Sequence, residues 1–588
     1  MNTVATKAGY AIVAALIGVG LFTGVIARAV TTVVCGSVTM PGDFITGLRL
    51  VVFGTTSVAS VPTGCTVPLT GIRVASLLAF LAIAGVAVWA GMLWWRWRQS
   101  EAYFIADLKG RTGFAKRSEI RKYASAKAML ARASTIRPDL PKPAVTDVAW
   151  TFGKSLGQDV HVSAEDSIIL EGPPRQGKGY RILIPAIVDW AGPLITTSTR
   201  SDNLTTTMRA RQAKGTVSVF DPQGLSGIDG ALTIDPTSGC EQPQIAVERA
   251  NAIIGGTALG KSSSNQEWAS ASSGIMSLLL HAAAVSRSSV DELYSWGTSP
   301  VAAREAADIL DSDGTAGWGA ALRAAIDNDP KLRSSMWMGV SEAVKPLAIP
   351  SVRESMKPGR GRQFNAAEFL SEQNTLYLIG TGAGAGASGG FLGAVLDDVV
   401  ARGREQAMIS TGGRLEIPLG LVLDEIANMF SWAELPTVMA DGGGIGISTI
   451  VVLQAMSQAK SKWSDAEAAS IWSAATAKAL LGGAGDIPHL RDVEAMLGTR
   501  KVRRSSTTYS ETGDSSNVQT ERVPLMSVDE LRRMPERIGM LLYKNRRGIL
   551  LDLDGWTARG DADQISAGRK HTHAEQVAAF RRNAGAVR

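Results

Sequence analysis

Two adjacent carboxylates, Asp424 and Glu425, end the aliphatic run Leu421-Val422-Leu423. Such a run reads as a buried strand, and strands of an open α/β sheet present their C-terminal ends to ligands. Far upstream, Lys178 stands in Gly172-Pro173-Pro174-Arg175-Gln176-Gly177-Lys178-Gly179, between the strand-like Ile168-Ile169-Leu170-Glu171 and Tyr180–Trp190, which can be helical despite Pro185. Strand, glycine loop and helix in that order form a phosphate cradle. Backbone N–H groups wrap the oxygens, the lysine reaches the β- and γ-phosphates, and the helix N-terminus adds its dipole. Residues Gly172 to Tyr180 are therefore candidate nucleotide ligands. Beside such a loop the two acids take separate roles: Asp424 holds the Mg²⁺ shell, directly or through water, and Glu425 orients and deprotonates the attacking water. A further strand, Thr449–Leu453, ends at Gln454, followed by Ala455-Met456-Ser457-Gln458. An amide at that tip is suited to sensing a γ-phosphate or positioning water. The chemistry these residues share is hydrolysis of a nucleoside triphosphate.

One position departs from the usual loop. Gly179 stands where a Ser or Thr hydroxyl ordinarily holds Mg²⁺. Two other glycine-rich segments compete. Gly255-Gly256-Thr257-Ala258-Leu259-Gly260-Lys261-Ser262 fits the bare pattern better, but Val247–Ile254 ahead of it carries Glu248 and Arg249 and reads as a helix end. With 62 glycines in the chain, pattern without context carries little, and 255–262 is read as a decoy. Gly384-Ala385-Gly386-Ala387-Ser388-Gly389 imitates a dinucleotide fingerprint but lacks a convincing βαβ unit behind it, and is read as a sheet-to-helix turn.

These residues need a sheet to hold them. Candidate strands are Ile168–Leu170, Leu194–Thr197, Val217–Phe220, Leu376–Ile379, Leu421–Leu423, Thr449–Leu453, Ala479–Leu481 and Met540–Tyr543, alternating with helical stretches. Uninterrupted aliphatic runs separated by helices predict an α/β domain with a parallel sheet buried on both faces. That domain is expected over 146–242 and 351–560. Between them, 243–350 is rich in Ala, Ser and Leu with few strand signals, predicting an all-helical insertion. The segment 561–588 is polar and basic, carrying Arg569, Lys570, Arg581, Arg582 and Arg588, and is expected to be a mobile arm with His571 and His573 solvated.

Composition narrows the class. The 588 residues carry 60 Lys and Arg against 54 Asp and Glu, a formal charge of +6, and are 45% hydrophobic and 19% charged. That excludes a disordered chain, and three cysteines exclude a disulfide-stapled scaffold. Ala8–Ala27 and Val74–Trp95 are free of charge and long enough to cross a bilayer, so 1–98 reads as a membrane domain with an outside loop at 28–73. The basic stretch Arg96–Arg132 puts the following connector, 99–145, and both termini in the cytoplasm. Cys35 and Cys65 in the loop are open to oxidation together or to remaining two separate thiols.

In order along the chain, these pieces resemble the coupling ATPases of type IV secretion and conjugation, the VirD4/TraG family. Two apolar spans come first, then Gly172–Gly179 running on into Arg181-Ile182-Leu183-Ile184-Pro185. One branch of that family also has Gly after the loop lysine. Val219-Phe220-Asp221-Pro222 and Gln266-Glu267-Trp268 come next, then Phe369-Leu370 with Thr375-Leu376-Tyr377-Leu378. The Asp424-Glu425 strand, Gln454 with Gln458, and Leu525-Met526 with Glu530-Leu531-Arg532-Arg533-Met534-Pro535 complete the series. The resemblance implies a RecA-like P-loop ATPase using ATP and Mg²⁺, with an all-alpha domain inserted between its nucleotide motifs, assembled as a homo-hexamer at the cytoplasmic membrane. Its implied partners are a relaxase–DNA complex or secreted effectors, DNA through its phosphates, and subunits of the secretion channel. Members often carry an Arg where this chain has Asp441-Gly442-Gly443-Gly444, so no arginine finger is assigned. The competing readings are a DNA translocase of the FtsK kind, for which the tail is too short to hold a sequence-reading module, and a nucleotide-binding membrane adaptor that does not hydrolyse.

Overall fold

The protein is described by a computed structural model covering residues 18, 21–30, 32–34, 36, 69–228, 232–260, 265–357, 364–382, 388–510 and 513–586. It divides into two units, one of residues 112–499 and 524–588 and the other of 1–111 and 500–523.

In the larger unit the strands are β1 (Ala149–Ser155), β2 (Gln158–Ser163), β3 (Ile168–Glu171), β4 (Leu194–Ser198), β5 (Val217–Phe220), β6 (Thr375–Ile379), β7 (Leu419–Leu423), β8 (Ile447–Leu453) and β9 (Ala477–Leu481). The ribbon strands β10 (Thr499–Ser510) and β11 (Gly513–Pro524) intervene before β12 (Ile538–Tyr543) and β13 (Ile549–Asp552). Among the described residues, eleven strands form one sheet in the order β2-β1-β13-β12-β9-β3-β8-β7-β4-β6-β5. From β9 to β5 all neighbours are parallel. The other four add as an antiparallel edge. The aliphatic runs explain the parallel part: β3, β4, β6, β7, β8 and β9 are buried along their whole length. Helices cover both faces, so such strands gain nothing from alternating polar residues.

All eight expected strands are present. The sequence reading missed β1, β2 and β13, and the ribbon. β1 and β2 join through Leu156 and Gly157, both at positive φ (48° and 73°). That is a tight hairpin turn built on Leu-Gly in place of the Asn-Gly or Asp-Gly that signals one.

Within 243–350 the described residues are mostly helical. The helices Pro243–Gly255, Gln266–Ser286, Val290–Thr298, Arg304–Asp313, Trp318–Ile326 and Pro330–Val344 pack around Leu279, Leu280, Leu293, Trp296, Leu310 and Val340. Beyond residue 111 the connector packs into the larger unit: Ile120, Ala124, Met129, Ala133 and Ile136 are buried in the core beneath β1 and β2. One expectation changes: residues 561–586 are not a mobile arm. Ala562–Ala586 is one helix docked along the helix Asp202–Gln212. Gln576, buried, accepts from Thr205 Oγ1 at 2.9 Å and donates to the Ser226 carbonyl at 2.7 Å. Arg209 pairs with Glu575, and Ile565 is buried beside Ile184, Val188 and Trp556. Charge count hid these few buried positions among many exposed ones; His571 and His573 are on the exposed side.

In the smaller unit, Leu69–Arg98 is a 30-residue helix containing the second expected span. Val74, Leu77, Leu81, Val86, Trp89 and Trp95 on it are exposed. Most of the first expected span and the loop with Cys35 and Cys65 lie outside the described residues, although 21–30 are helical. Among the described residues, the helix long and apolar enough by composition to cross a bilayer is Gln266–Ser286, which is mostly buried in the helical domain. Two membrane spans are thus not established by the fold. The ribbon β10–β11 carries an Arg504–Glu521 ion pair at 3.0 Å.

Candidate nucleotide site

The strand order decides where the chemistry converges. β3, β8, β7 and β4 are consecutive neighbours, with Leu170 beside Val452, Val422 beside Ile450 and Ile195 beside Leu421. Parallel strands share one C-terminal edge, so the loop after β3, Gln454 after β8, Asp424 and Glu425 after β7, and Thr199 after β4 lie side by side. They line a cavity of about 570 Å³ together with Pro174, Arg175, Gln176, Gly177, Gly179, Arg200, Asp202, Asn203 and Asn428.

The loop is wound tightly. Arg175 and Gly177 have φ of 66° and 75°, the left-handed region that turns a chain back on itself. A Cβ on Gly177 would meet Arg181 Nε at 3.0 Å. Lys178 Nζ donates to the carbonyls of Gly172 and, at 3.0 Å, Pro173, which holds the ammonium over the loop. Burial lowers its pKa, and the charges of Asp424 and Glu425 oppose that shift. Behind it the helix opens with a π turn, Gly179–Leu183, in which Ile184 N–H reaches back to the Gly179 carbonyl, before Ile184–Asp189 continues as α-helix. The wider turn accommodates Pro185, which has no N–H to give.

The first acid is enclosed. Burial and the neighbouring Glu425 push the Asp424 carboxyl up to about 6, against the pull of Lys178. Asn203 Nδ2 donates to Asp424 Oδ2 at 2.9 Å, and Thr197 Oγ1 to the Asp424 carbonyl at 2.8 Å. Glu425 sits at φ 53°, left-handed for a residue with a side chain, and its carboxylate accepts from Thr199 Oγ1. Such backbone conformations cost on the order of 1–3 kcal/mol and gather at functional sites. The backbone at Gln454 is tied to two side-chain amides: its main-chain N–H donates to Gln458 Oε1 at 3.3 Å, and Gln458 Nε2 to Asn428 Oδ1 at 2.5 Å. Arg211, fully buried, anchors the helix that carries Asn203 by donating to Thr375 Oγ1 at 2.7 Å and the Gly192 carbonyl at 3.0 Å. The oxygen-bearing side chains that line the cavity are the carboxylates of Asp202, Asp424 and Glu425 and neutral Ser, Thr, Asn and Gln groups, a set suited to Mg²⁺, which keeps several waters and borrows phosphate oxygens.

Most of the expected residues therefore meet, and three do not line the cavity. Gly172 is a packing glycine, its N–H bonded to the Leu453 carbonyl at 3.1 Å and a Cβ placed 3.0 Å from Leu481 Cβ. Pro173 contributes its carbonyl to Lys178. Tyr180 turns away, its hydroxyl bonded to Thr557. Thr199, Asn203 and Asn428 were missed. The signal available for the first two was the polar run Thr199-Arg200-Ser201-Asp202-Asn203 directly after a buried strand.

The decoy has a physical explanation. Thr257 and Gly260 close on the chain itself, through Thr257 Oγ1 to the Ile254 carbonyl at 2.6 Å and Gly260 N–H to Thr257 Oγ1 at 3.1 Å. The Ala258 N–H is taken by the carboxylate of Glu342 at 2.7 Å. No strand leads into it, and Lys261 and Ser262 lie outside the described residues, as do 383–387 of the third glycine segment.

Residues 418–536 match the family model for the TraM recognition site of TraD and TraG. A search of curated proteins finds no match. Among solved structures, the unbound bacterial conjugative coupling protein TrwBdeltaN70 aligns with a TM-score of 0.53 at 16% identity, covering 68% of this chain and 88% of that one. The plasmid coupling protein TrwB in complex with ADP and Mg²⁺ aligns at 0.52 and 16%, covering 68% and 89%. TrwB with the ATP analogue ADPNP aligns at 0.50 and 16%, covering 66% and 86%. The resemblance to the coupling-protein family read from the motif order is borne out by the family model and by the fold.

Proposed function

We propose that this chain is a membrane-anchored ATPase that couples ATP hydrolysis to the transfer of DNA or protein through a type IV secretion or conjugation channel. One observation carries the reading: Lys178, Asp424, Glu425 and Gln454, from three motifs far apart in sequence, line a single cavity at adjacent strand tips. The likeness to TrwB, solved with ADP and Mg²⁺, supports nucleotide binding by this fold.

In this reading the loop amides and Lys178 grip the β- and γ-phosphates. Asp424 would hold Mg²⁺, which when bound neutralises charge on the phosphate oxygens. Glu425, held by Thr199, takes the proton of the attacking water, and Gln454, fixed through Gln458 and Asn428, reports the γ-phosphate to the next strand. The exposed apolar surface of Leu69–Arg98 supports membrane anchorage; with 8–27 it gives two spans with both termini cytoplasmic. The match over 418–536 supports partner recognition by that stretch, the partner being a relaxase–DNA complex or secreted effectors. Channel subunits dock at the membrane, and the active form is a homo-hexamer.

The test is a DNA-stimulated ATPase assay on the full chain in detergent. Lys178→Ala should abolish turnover, and Lys261→Ala should leave it nearly intact. Glu425→Gln should bind ATP and stall, with turnover down about 100-fold or more. Normal hydrolysis by Lys178→Ala would overturn the assignment of the cavity.

A further inference from the structure

Gly179 lacks the hydroxyl that a P-loop ordinarily turns towards its cation, and the surrounding structure shows what faces that position. A Cβ built on Gly179 has one neighbour within 4 Å, Asn203 Oδ1 at 3.5 Å. Asn203 is 5% exposed and is the second residue of the helix Asp202–Gln212. Its Nδ2 donates to Asp424 Oδ2 at 2.9 Å. An amide gives donors on one side and acceptors on the other, so this bond fixes which end faces where. With the nitrogen committed to the acid of β7, the oxygen is turned towards the loop, and among the described residues nothing donates to it. Gly179 and Asn203 both line the cavity that holds Lys178 and Glu425.

We propose that Asn203 supplies the neutral oxygen that Gly179 cannot, so that the Mg²⁺ of a bound nucleotide is held between Asp424 and the Asn203 carboxamide. This rests on the nucleotide reading of the cavity and adds a ligand to it. The exchange is chemically even: a hydroxyl and a carboxamide are both uncharged, hard oxygen donors. It is also sterically reciprocal. A Cβ at 179 stands at ordinary contact distance from the Asn203 side chain, and Gly179 is not at a positive φ, so the backbone there admits a serine. The two hydroxyls that line the cavity are both engaged: Thr199 donates to Glu425, and Ser198 Oγ accepts the Arg200 N–H at 3.2 Å.

The experiment measures binding, not turnover. The affinity of full-length protein in detergent for a fluorescent ADP analogue is titrated with and without Mg²⁺, and Mn²⁺ bound in the ADP complex is read by electron paramagnetic resonance. Asn203→Ala should raise the Mg²⁺ concentration needed for tight ADP binding by about 10–100-fold, with metal-free ADP affinity within about twofold of wild type. Adding Gly179→Ser to Asn203→Ala should restore most of the loss, a rescue that a purely structural role for the amide would not give. Unchanged Mg²⁺ dependence in Asn203→Ala, or no rescue by Gly179→Ser, overturns the proposal. Lys178→Ala is the control on the underlying reading. If it leaves ADP binding intact, the cavity is not the nucleotide site. If it abolishes binding while Asn203→Ala is silent, only the role of Asn203 falls.

Discussion

Asp397 lies in the helix Gly389–Ile409, half-buried against Trp432, whose indole N–H donates to its Oδ1 at 2.5 Å. Trp432 closes the segment that begins at Asp424 and Glu425, and its carbonyl accepts from Trp463 Nε1 at 2.8 Å. Burial, with help from Glu434, pushes the Asp397 carboxyl up to about 7 from an ordinary 3.8. Between those values the fold holds a proton that the unfolded chain has lost. The stability this gives is present below about pH 4 and is lost as pH climbs through 7. Three units correspond to about 4 kcal/mol for a fully enclosed group, and partial contact with water reduces that to about 2 kcal/mol. Asp397→Asn keeps an oxygen for Trp432 and cannot ionise. Its stability relative to wild type should therefore rise by about 1–2 kcal/mol between pH 4.5 and pH 8. Urea unfolding of the detergent-solubilised chain, followed by tryptophan fluorescence, measures the change, and any fixed cost of the second amide proton cancels in the difference. A gap that is constant or narrows with rising pH refutes the reasoning.

Gly443→Ala should destabilise by about 1–3 kcal/mol in the same urea assay, because a Cβ there would stand 2.0 Å from the Glu165 carbonyl oxygen. Its neighbour Gly444 has open space, and Gly444→Ala should be neutral or stabilising by up to about 1 kcal/mol. Gln576→Leu strips the buried bonds to Thr205 and Ser226 and should cost about 1–3 kcal/mol; a value near zero would mean that the C-terminal helix is not braced there. DNA affinity should fall steeply with salt, since phosphate contacts release counterions; an affinity flat between 50 and 200 mM salt, by fluorescence anisotropy, would speak against phosphate-directed binding.

Much of the sheet was legible because its parallel strands are buried on both faces and so are written in consecutive aliphatic residues, as in Ile447–Leu453. The same rule made the Asp424-Glu425 tip readable. What stayed hidden lacked that signature. β1 and β2 place polar residues such as Lys154 and Asp159 on an edge, and their turn uses Leu156 at positive φ. The final helix buries a narrow seam, including Ile565, Thr572, Gln576 and Ala579, inside a sequence whose net impression is basic and soluble. Asn203 left only the polar run after β4 as a signal; that it faces Gly179 and Asp424 at once could not be read, because neither neighbour is near it in sequence.

The glycines at 442–444 also bear on the missing arginine. The family resemblance puts an Arg in that stretch, yet here the helix Leu435–Ile445 runs so close to the turn before β3 that Gly443 almost touches the Glu165 backbone. The carboxylate of that same Glu165 is bonded by Arg414 at 2.9 Å, and Arg414 is buried and donates onward to the Gly443 carbonyl at 3.3 Å. Close packing thus excludes a side chain at 443, whereas 444 has open space and carries none. A cation in trans would have to come from another element; in the nucleotide reading, the arginines on the cavity's own rim, Arg175 at positive φ in the loop and Arg200 just past β4, could act only in cis.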